Sequence, residues 1–205
     1  GYQAGYEATG CHNNNIIGYQ AAYQSDDCSD NDIIGVRAGY EANDSQLNQI
    51  IGSGAGIRLL NSVGNVILGT LAASGANSKN ASVIIGYEAG KNSSSLGFYQ
   101  VMIGSEAGQD SINNRDVNFI GRQAGFAAYN SQKSNMIGYL AGYQATGCQY
   151  TNMIGFEAGR GAENVGYSNL MGYGAGSNAL DTMGGQIIGW YAGYGASGLG
   201  NSTVV

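Results

Sequence analysis

The segment Asn135–Gly147, "NMIGYLAGYQATG", indicates the fold because the chain repeats it. Close copies occur at Asn15–Asp27, "NIIGYQAAYQSDD", and at Asn152–Asn164, "NMIGFEAGRGAEN". When each block starts at the Gly that follows the apolar pair, the blocks are 17 residues long, except for one of 18 that contains "KNSSSLGFYQ" (residues 91–100). The block starts are Gly1, Gly18, Gly35, Gly52, Gly69, Gly86, Gly104, Gly121, Gly138, Gly155, Gly172 and Gly189.

A short fixed period is typical of a solenoid, in which each unit buries its apolar face only by stacking on its neighbours. Helical repeats need more than about thirty residues and leucine-rich repeats at least about twenty, whereas 17 suit one coil of a parallel β-solenoid. We therefore predict an all-β fold in which residues 1–205 form a single β-solenoid domain of twelve coils. Coils spaced by ~4.8 Å would give a rod about 55 Å long. We expect a loop to absorb the extra residue, and the chain, which opens on Gly1, to be a segment of a longer fibre.

Each position of the block then becomes a column that runs along the rod. Column 4 is Ala in all twelve blocks, which predicts a tight interior. Column 1 is always Gly and column 5 is always Gly or Ala. These two columns predict corners where the backbone takes a positive φ or approaches another segment closely.

Columns 16 and 17 are both apolar in every block. Adjacent residues of a strand point to opposite faces, so a thin coil can bury only one of the two columns. The other column would form an apolar stripe larger than monomers normally expose. We therefore predict a homo-oligomer whose chains lie side by side along this stripe. The alternative is a bend beside the following Gly that turns both columns inward.

Composition and charge argue against several functions. The net charge of −6 and eight scattered Lys and Arg residues give no basic patch for nucleic acid. No apolar run reaches the ~20 residues that span a bilayer, so we expect no membrane insertion in this segment. An enzyme is not expected, because His12 is the sole histidine and the stacked Glu88 and Glu106 lie on a narrow face without a pocket.

Two groups of possible ligands lie near the start of the chain. The segment "SDDCSDND" contains Asp26, Asp27, Asp30 and Asp32, whose oxygens suit Ca²⁺, but the spacing is not that of an EF-hand. We predict no cofactor and no bound metal, with Ca²⁺ as the alternative.

All three cysteines fall in column 11. Either Cys11 and Cys28 of adjacent coils form a disulfide in an oxidising compartment, with Cys148 left over, or all three are isolated thiols.

Tyrosine recurs in columns 2 and 6. Exposed rings there could stack on a host glycan or host protein, or they could form a ladder that stiffens the rod. A ladder of amide hydrogen bonds is also expected in column 15, where Asn118, Asn135, Asn152 and Asn169 fall in consecutive coils. The candidate binding residues are Tyr2, Tyr6, Tyr19, Tyr23, Tyr139, Tyr143, Trp190 and Tyr194.

The unit N-x-I-I-G-x-x-A, as in "NNIIGYQAAYQS" at Asn14–Ser25 and "NMIGYLAGYQA" at Asn135–Ala145, resembles the head repeat of YadA-like trimeric autotransporter adhesins. It is also similar to repeats of bacteriophage tail fibres. The resemblance implies a left-handed parallel β-roll assembled as a trimer. It further implies an extracellular location, on a cell surface or a virion, and binding to host-surface proteins or glycans.

Three functional alternatives follow from these observations. The chain is a structural or adhesive fibre segment, a phage tail fibre or tailspike that binds a receptor glycan, or a filament subunit stacked end to end. The filament predicts strand pairing between Val205 of one copy and Gly1 of the next. Hexapeptide acyltransferases have a similar I-G-x-x-A unit, but only one of the three hexads that their coils require fits here.

Overall fold

The computed structural model describes residues 1–94, 99–200 and 203–205. These residues form a parallel β-solenoid without a helix, which confirms the predicted fold. Twelve of the described strands form one parallel sheet, in the order β1-β2-β4-β6-β7-β8-β9-β10-β11-β12-β13-β14, and β3 pairs with β5. The strands are β1 (Asn15–Ile17), β2 (Asp32–Ile34), β3 (Asn43–Gln46), β4 (Gln49–Ile51), β5 (Leu60–Val63), β6 (Val66–Leu68), β7 (Val83–Ile85), β8 (Val101–Ile103), β9 (Asn118–Ile120), β10 (Asn135–Ile137), β11 (Asn152–Ile154), β12 (Asn169–Met171), β13 (Gln186–Ile188) and β14 (Thr203–Val204).

The register of the sheet follows the sequence repeat. Ile16 pairs with Ile33, one block later, and the chain passes through the described sheet twelve times, which makes about eleven complete turns. The step is 17 residues where Asn77 pairs with Ser94 and 18 where Val83 pairs with Val101. The extra residue therefore falls between Ser94 and Val101. The loop predicted for it includes residues 95–98, which lie outside the described residues.

The interior contains columns 4 and 16, one on each side of the coil. Column 4 is buried throughout the middle of the rod, for example at Ala38 and Ala124, which confirms the predicted tight packing. Opposite it, column 16 supplies the large apolar side chains of the core. These are Ile33, Ile50, Ile67, Ile84, Met102, Phe119, Met136, Met153, Leu170 and Ile187, each no more than 1% exposed.

Column 17 lies on the outer face of the same sheet. Ile34 is 38% exposed and Leu68 is 43% exposed, although their immediate neighbours in column 16 are buried. The alternation of faces along a strand accounts for this difference. The prediction that one apolar column faces outward is confirmed for this chain, and the alternative in which both columns turn inward is wrong.

The corners at columns 1 and 5 have the predicted backbone geometry. Gly138 has a φ of 135°, and a Cβ built on it would lie 2.3 Å from the carbonyl oxygen of Gly155 in the next coil. In column 5, Ala22 has a φ of 50°. The sequence did not predict that column 3 and column 7 residues such as Gln20 and Gln24 also have φ values of 51°. Each residue in this left-handed backbone conformation costs about 1 kcal/mol of strain. Hydrogen bonds between coils, such as Gln20 N–H to Tyr2 O at 2.9 Å, offset this cost.

Three further columns, 8, 11 and 14, also point inward where the coil turns, which the sequence did not predict. Column 8 is mostly Ala and extends the apolar core, whereas columns 11 and 14 contain many polar residues. Their polar side chains donate to backbone carbonyls of the next coil. Asn31 Nδ2 donates to Ser45 O at 2.8 Å, and Ser45 Oγ donates to Leu59 O at 3.2 Å. In the next coil, Asn48 Nδ2 donates in the same way to Ser62 O at 2.9 Å. A carbonyl in this series can also accept a backbone N–H, as Leu59 O does from Asn43 N at 3.0 Å, so the side chains add hydrogen bonds between adjacent coils and pair buried polar atoms.

Candidate functional site

The aromatic residues of columns 2 and 6 form stacked ladders along the rod. Ring centroids are 5.7 Å apart for Tyr2 and Tyr19, and 4.4 Å apart for Tyr173 and Trp190, with nearly parallel planes. These separations are close to the spacing between coils. The interpretation of the rings as a ladder is therefore confirmed. The amide ladder of column 15 is confirmed too, with Nδ2 to Oδ1 distances of 2.6, 2.7 and 2.8 Å.

The eight candidate binding residues do not come together in one place. They occupy the first two coils, the ninth coil and the twelfth coil, so the structure separates them along the rod. Their role in binding stays a prediction. The exposed members are Tyr2, Tyr6, Tyr19, Tyr139, Trp190 and Tyr194, and the half-buried members are Tyr23 and Tyr143.

A surface cleft of about 640 Å³ lies across coils nine to twelve. Of the eight candidate residues, only Tyr194 lines it. Its other aromatic residue, Tyr191, is in column 3, where the other coils carry no aromatic side chain, so column periodicity did not reveal it. The lining residues are Gln144, Glu157, Arg160, Gly161, Ser177, Asn178, Tyr191 and Tyr194.

The two tyrosines of this cleft depart from the parallel ladder. Their ring centroids are 5.7 Å apart and their planes meet at 72°. Tyr191 also packs edge-on against Tyr173, at 5.3 Å and 67°. Partial desolvation raises the pKa of the Tyr191 phenol, and Tyr173 and Glu157 add to this.

Polar side chains of three coils complete the cleft. Arg160 Nη1 lies 3.4 Å from Glu157 Oε1, with both side chains partly exposed. Asn178 Nδ2 donates to Tyr194 Oη at 3.3 Å. The guanidinium of Arg160 lies 5.7 Å from the ring centre of Tyr143 in the neighbouring coil. The cleft therefore combines two aromatic rings with several planar groups that can donate and accept hydrogen bonds.

The acidic segment near the start of the chain forms separate hydrogen bonds. Thr9 Oγ1 donates to Asp26 Oδ1. Asp30 Oδ1 accepts from Asn13 Nδ2 at 3.2 Å, and the carboxylate of Asp32 is also bonded to the first coil. In the described part of the chain, no three or more His, Cys, Asp or Glu residues are grouped as metal ligands.

The three cysteines are free thiols in this structure, which corresponds to the isolated-thiol alternative. Burial and the adjacent Cys11 raise the pKa of Cys28 to about 12, and burial raises that of Cys148 to about 11. Because thiolates are the reactive form, these two buried thiols are poor nucleophiles at neutral pH.

The stacked glutamates of column 3 have separate partners. Glu88 forms an ion pair with Lys91 at 3.0 Å, and Glu106 accepts a hydrogen bond from Gln123 Nε2 at 2.6 Å. Glu88 and Glu106 thus each interact with a neighbouring side chain on the surface of the rod.

Comparisons with known proteins assign no family to the chain. No protein-family model matches the sequence, and no curated protein matches it significantly. The similarity of the repeat to adhesin heads and phage fibres therefore stays a prediction. Within residues 1–94, 99–200 and 203–205, no helix has the length and apolar character needed to cross a membrane.

Proposed function

We propose that this chain is a structural and adhesive segment of an extracellular fibre, on a cell surface or a virion, in which copies associate side by side. The stacked coils give a rod whose every turn is fixed by hydrogen bonds to the next. A rod of this kind can hold a binding surface away from the cell or virion to which it is attached. The resemblance of the repeat unit N-x-I-I-G-x-x-A to that of adhesin heads and phage tail fibres supports the same role.

The observation that carries the proposal is the apolar stripe of column 17. Its residues project from the outer face of a continuous twelve-stranded sheet. If each exposes about 70 Å², the stripe totals roughly 800 Å², which exceeds the ~300–600 Å² of the largest patch on a typical monomer and equals one side of a standard protein interface. Its most exposed members are Ile17, Ile34, Ile51, Leu68, Ile103, Met171, Ile188 and Val205.

The proposed occupant of the stripe is a second copy of the same chain. A stripe that repeats at every coil is matched in length and spacing by another stripe of the same rod, so copies lying in parallel bury it along its whole length. Cyclic association of identical surfaces is the usual arrangement of homo-oligomers. A trimer satisfies this geometry and is the state that the adhesin resemblance implies.

Sedimentation equilibrium of the purified chain tests the assembly. The unmodified chain should sediment as an oligomer, and the double variant Ile51→Lys/Leu68→Lys should sediment as a monomer with unchanged circular dichroism. Leu47→Lys is the matched control, because Leu47 is 60% exposed but belongs to column 13, away from the stripe. A monomeric unmodified chain at micromolar concentration, or equal dissociation by the control, would contradict side-by-side assembly.

A further inference from the structure

We propose that the cleft across coils nine to twelve binds a neutral saccharide, with Tyr191 and Tyr194 as stacking surfaces and Arg160, Glu157, Gln144 and Asn178 as hydrogen-bonding groups. This inference rests on the proposed adhesive role, for which it supplies a ligand class and a site. Of the exposed aromatic residues along the rod, the proposal assigns sugar binding only to those that line this cleft.

The concavity arises where the repeat lacks side chains. Column 7 is Gly at Gly161 and Gly195, and column 3 is Gly at Gly174. A Cβ on Gly174 would lie 2.6 Å from Cδ1 of Tyr191, so this glycine makes room for the ring. A Cβ on Gly161 would lie 2.6 Å from Oδ1 of Asn178. The resulting volume of about 640 Å³ falls within the range of small-molecule sites, which is ~300–1,000 Å³.

The two tyrosines are available to a ligand because the ladder does not cover them fully. Tyr194 is 59% exposed and Tyr191 is 42% exposed. Tyr23, by contrast, stacks on both neighbours, with ring centroids at 5.6 and 5.1 Å. The faces of an aromatic ring carry partial negative charge and attract the weakly positive C–H groups of a pyranose ring. The perpendicular arrangement of the two rings in the cleft suits a sugar that contacts one face and one edge.

The remaining lining groups match the hydroxyls of a sugar. Each hydroxyl both donates and accepts, and adjacent hydroxyls are best recognised by planar groups that offer two atoms side by side. Arg160 and Glu157 supply a donor pair and an acceptor pair within 3.4 Å of each other. Gln144 and Asn178 supply amides that can do both.

The charge of the cleft favours a neutral sugar over an acidic one. The positive charge of Arg160 is balanced by Glu157 at 3.4 Å, and these two are the only charged side chains among the residues that line the cleft. A carboxylated sugar would meet Glu157 without an unpaired cation to offset the repulsion, which costs binding free energy.

Ligand-observed NMR titration of the full chain tests the proposal. The probes are the methyl pyranosides of glucose, galactose, mannose and N-acetylglucosamine, with methyl glucuronide as the anionic comparison, at up to about 10 mM. At least one neutral glycoside should bind, and Tyr194→Ala should weaken its binding at least about tenfold through loss of the stacking surface. Arg160→Ala should weaken it as well. Tyr40→Ala, the same change in column 6 of the third coil and outside the cleft, should leave binding unchanged.

Three results would overturn the proposal: no binding of any neutral glycoside, binding of the glucuronide alone, or equal loss of binding in Tyr40→Ala. Circular dichroism of each variant checks that the solenoid is intact, and Arg160→Ala provides a second test if Tyr194→Ala does not fold. Sedimentation of the same samples separates this proposal from the fibre proposal. A chain that assembles along its stripe without binding sugar disproves only the saccharide site, and a monomer that binds sugar disproves only the assembly.

Discussion

Replacing the buried Lys79 with Met should stabilise the solenoid and remove a pH dependence from its stability. Lys79 lies in column 11, inside the rod, and its side chain is fully buried. Its ammonium donates to Gln100 Oε1 at 2.9 Å. Burial lowers the pKa of Lys79 from 10.5 to about 7, because the interior solvates a charged group poorly.

The size of the effect follows from this pKa shift. Near pH 8 the folded chain holds Lys79 largely neutral while the unfolded chain holds it charged, so unfolding takes up a proton and the free energy of unfolding rises with pH. The rise occurs between about pH 7 and pH 10.5. From the two pKa values we expect a gain of about 1.6 kcal/mol between pH 7 and 8.5, and a total penalty of about 5 kcal/mol below pH 7.

Urea unfolding followed by far-ultraviolet circular dichroism, from about pH 6 to 8.5 and under reducing conditions, measures this dependence. The upper limit avoids ionisation of cysteine in the unfolded chain, because the raised pKa values of Cys28 and Cys148 lower stability above about pH 9. Lys79→Met should lack the rise seen in the unmodified chain and should be more stable at pH 7. Lys133→Met, a change at an exposed lysine, should retain the rise. The same pH dependence in Lys79→Met and the unmodified chain would refute the reasoning.

Four further changes test the interior and the corners of the coils, each by urea unfolding. Phe119→Ala, which empties the largest aromatic position of the core, should cost about 3–5 kcal/mol, and a loss below about 1 kcal/mol would argue against tight packing there. Ser45→Ala should cost about 1 kcal/mol because it removes the hydrogen bonds of Ser45 Oγ to the carbonyls of Asn43 and Leu59. Ser131→Ala, in the same column, should be nearly neutral, because Ser131 Oγ has no hydrogen-bond partner among the described residues. Gly138→Ala should prevent stable folding, because its Cβ would lie 2.3 Å from a carbonyl oxygen of the next coil, and a stable variant would contradict this close approach.

The repeat accounts for how much of the fold was predictable. A strict period tells which residues stack, because any residue and its counterpart one block later must lie one above the other in a solenoid. Invariant Ala in column 4 and Gly in column 1 mark tight places for the same reason, since no larger side chain ever appears there. The sheet register, the aromatic ladder and the amide ladder all follow from this stacking.

The candidate site was less predictable because it depends on departures from the repeat. Tyr191 stands in a column that is otherwise not aromatic, and Gly174 and Gly161 leave space only because of what neighbouring coils place beside them. A column that is described by its most frequent residue type does not reveal such single departures. The choice of tyrosines from columns 2 and 6 therefore captured Tyr194 and missed its partner in the cleft.

The coil length, the stacking of columns and the presence of a second apolar column follow from the sequence alone, because they depend only on the period and on the alternation of side chains along a strand. The three-dimensional fold sets which of the two apolar columns is buried, column 16, and which is exposed, column 17, and it turns columns 8, 11 and 14 inward. These choices depend on how the chain bends at its corners. The bends contain residues in the left-handed backbone conformation, and the hydrogen bonds that stabilise these residues run to neighbouring coils. The sequence of one block therefore does not specify how the chain bends.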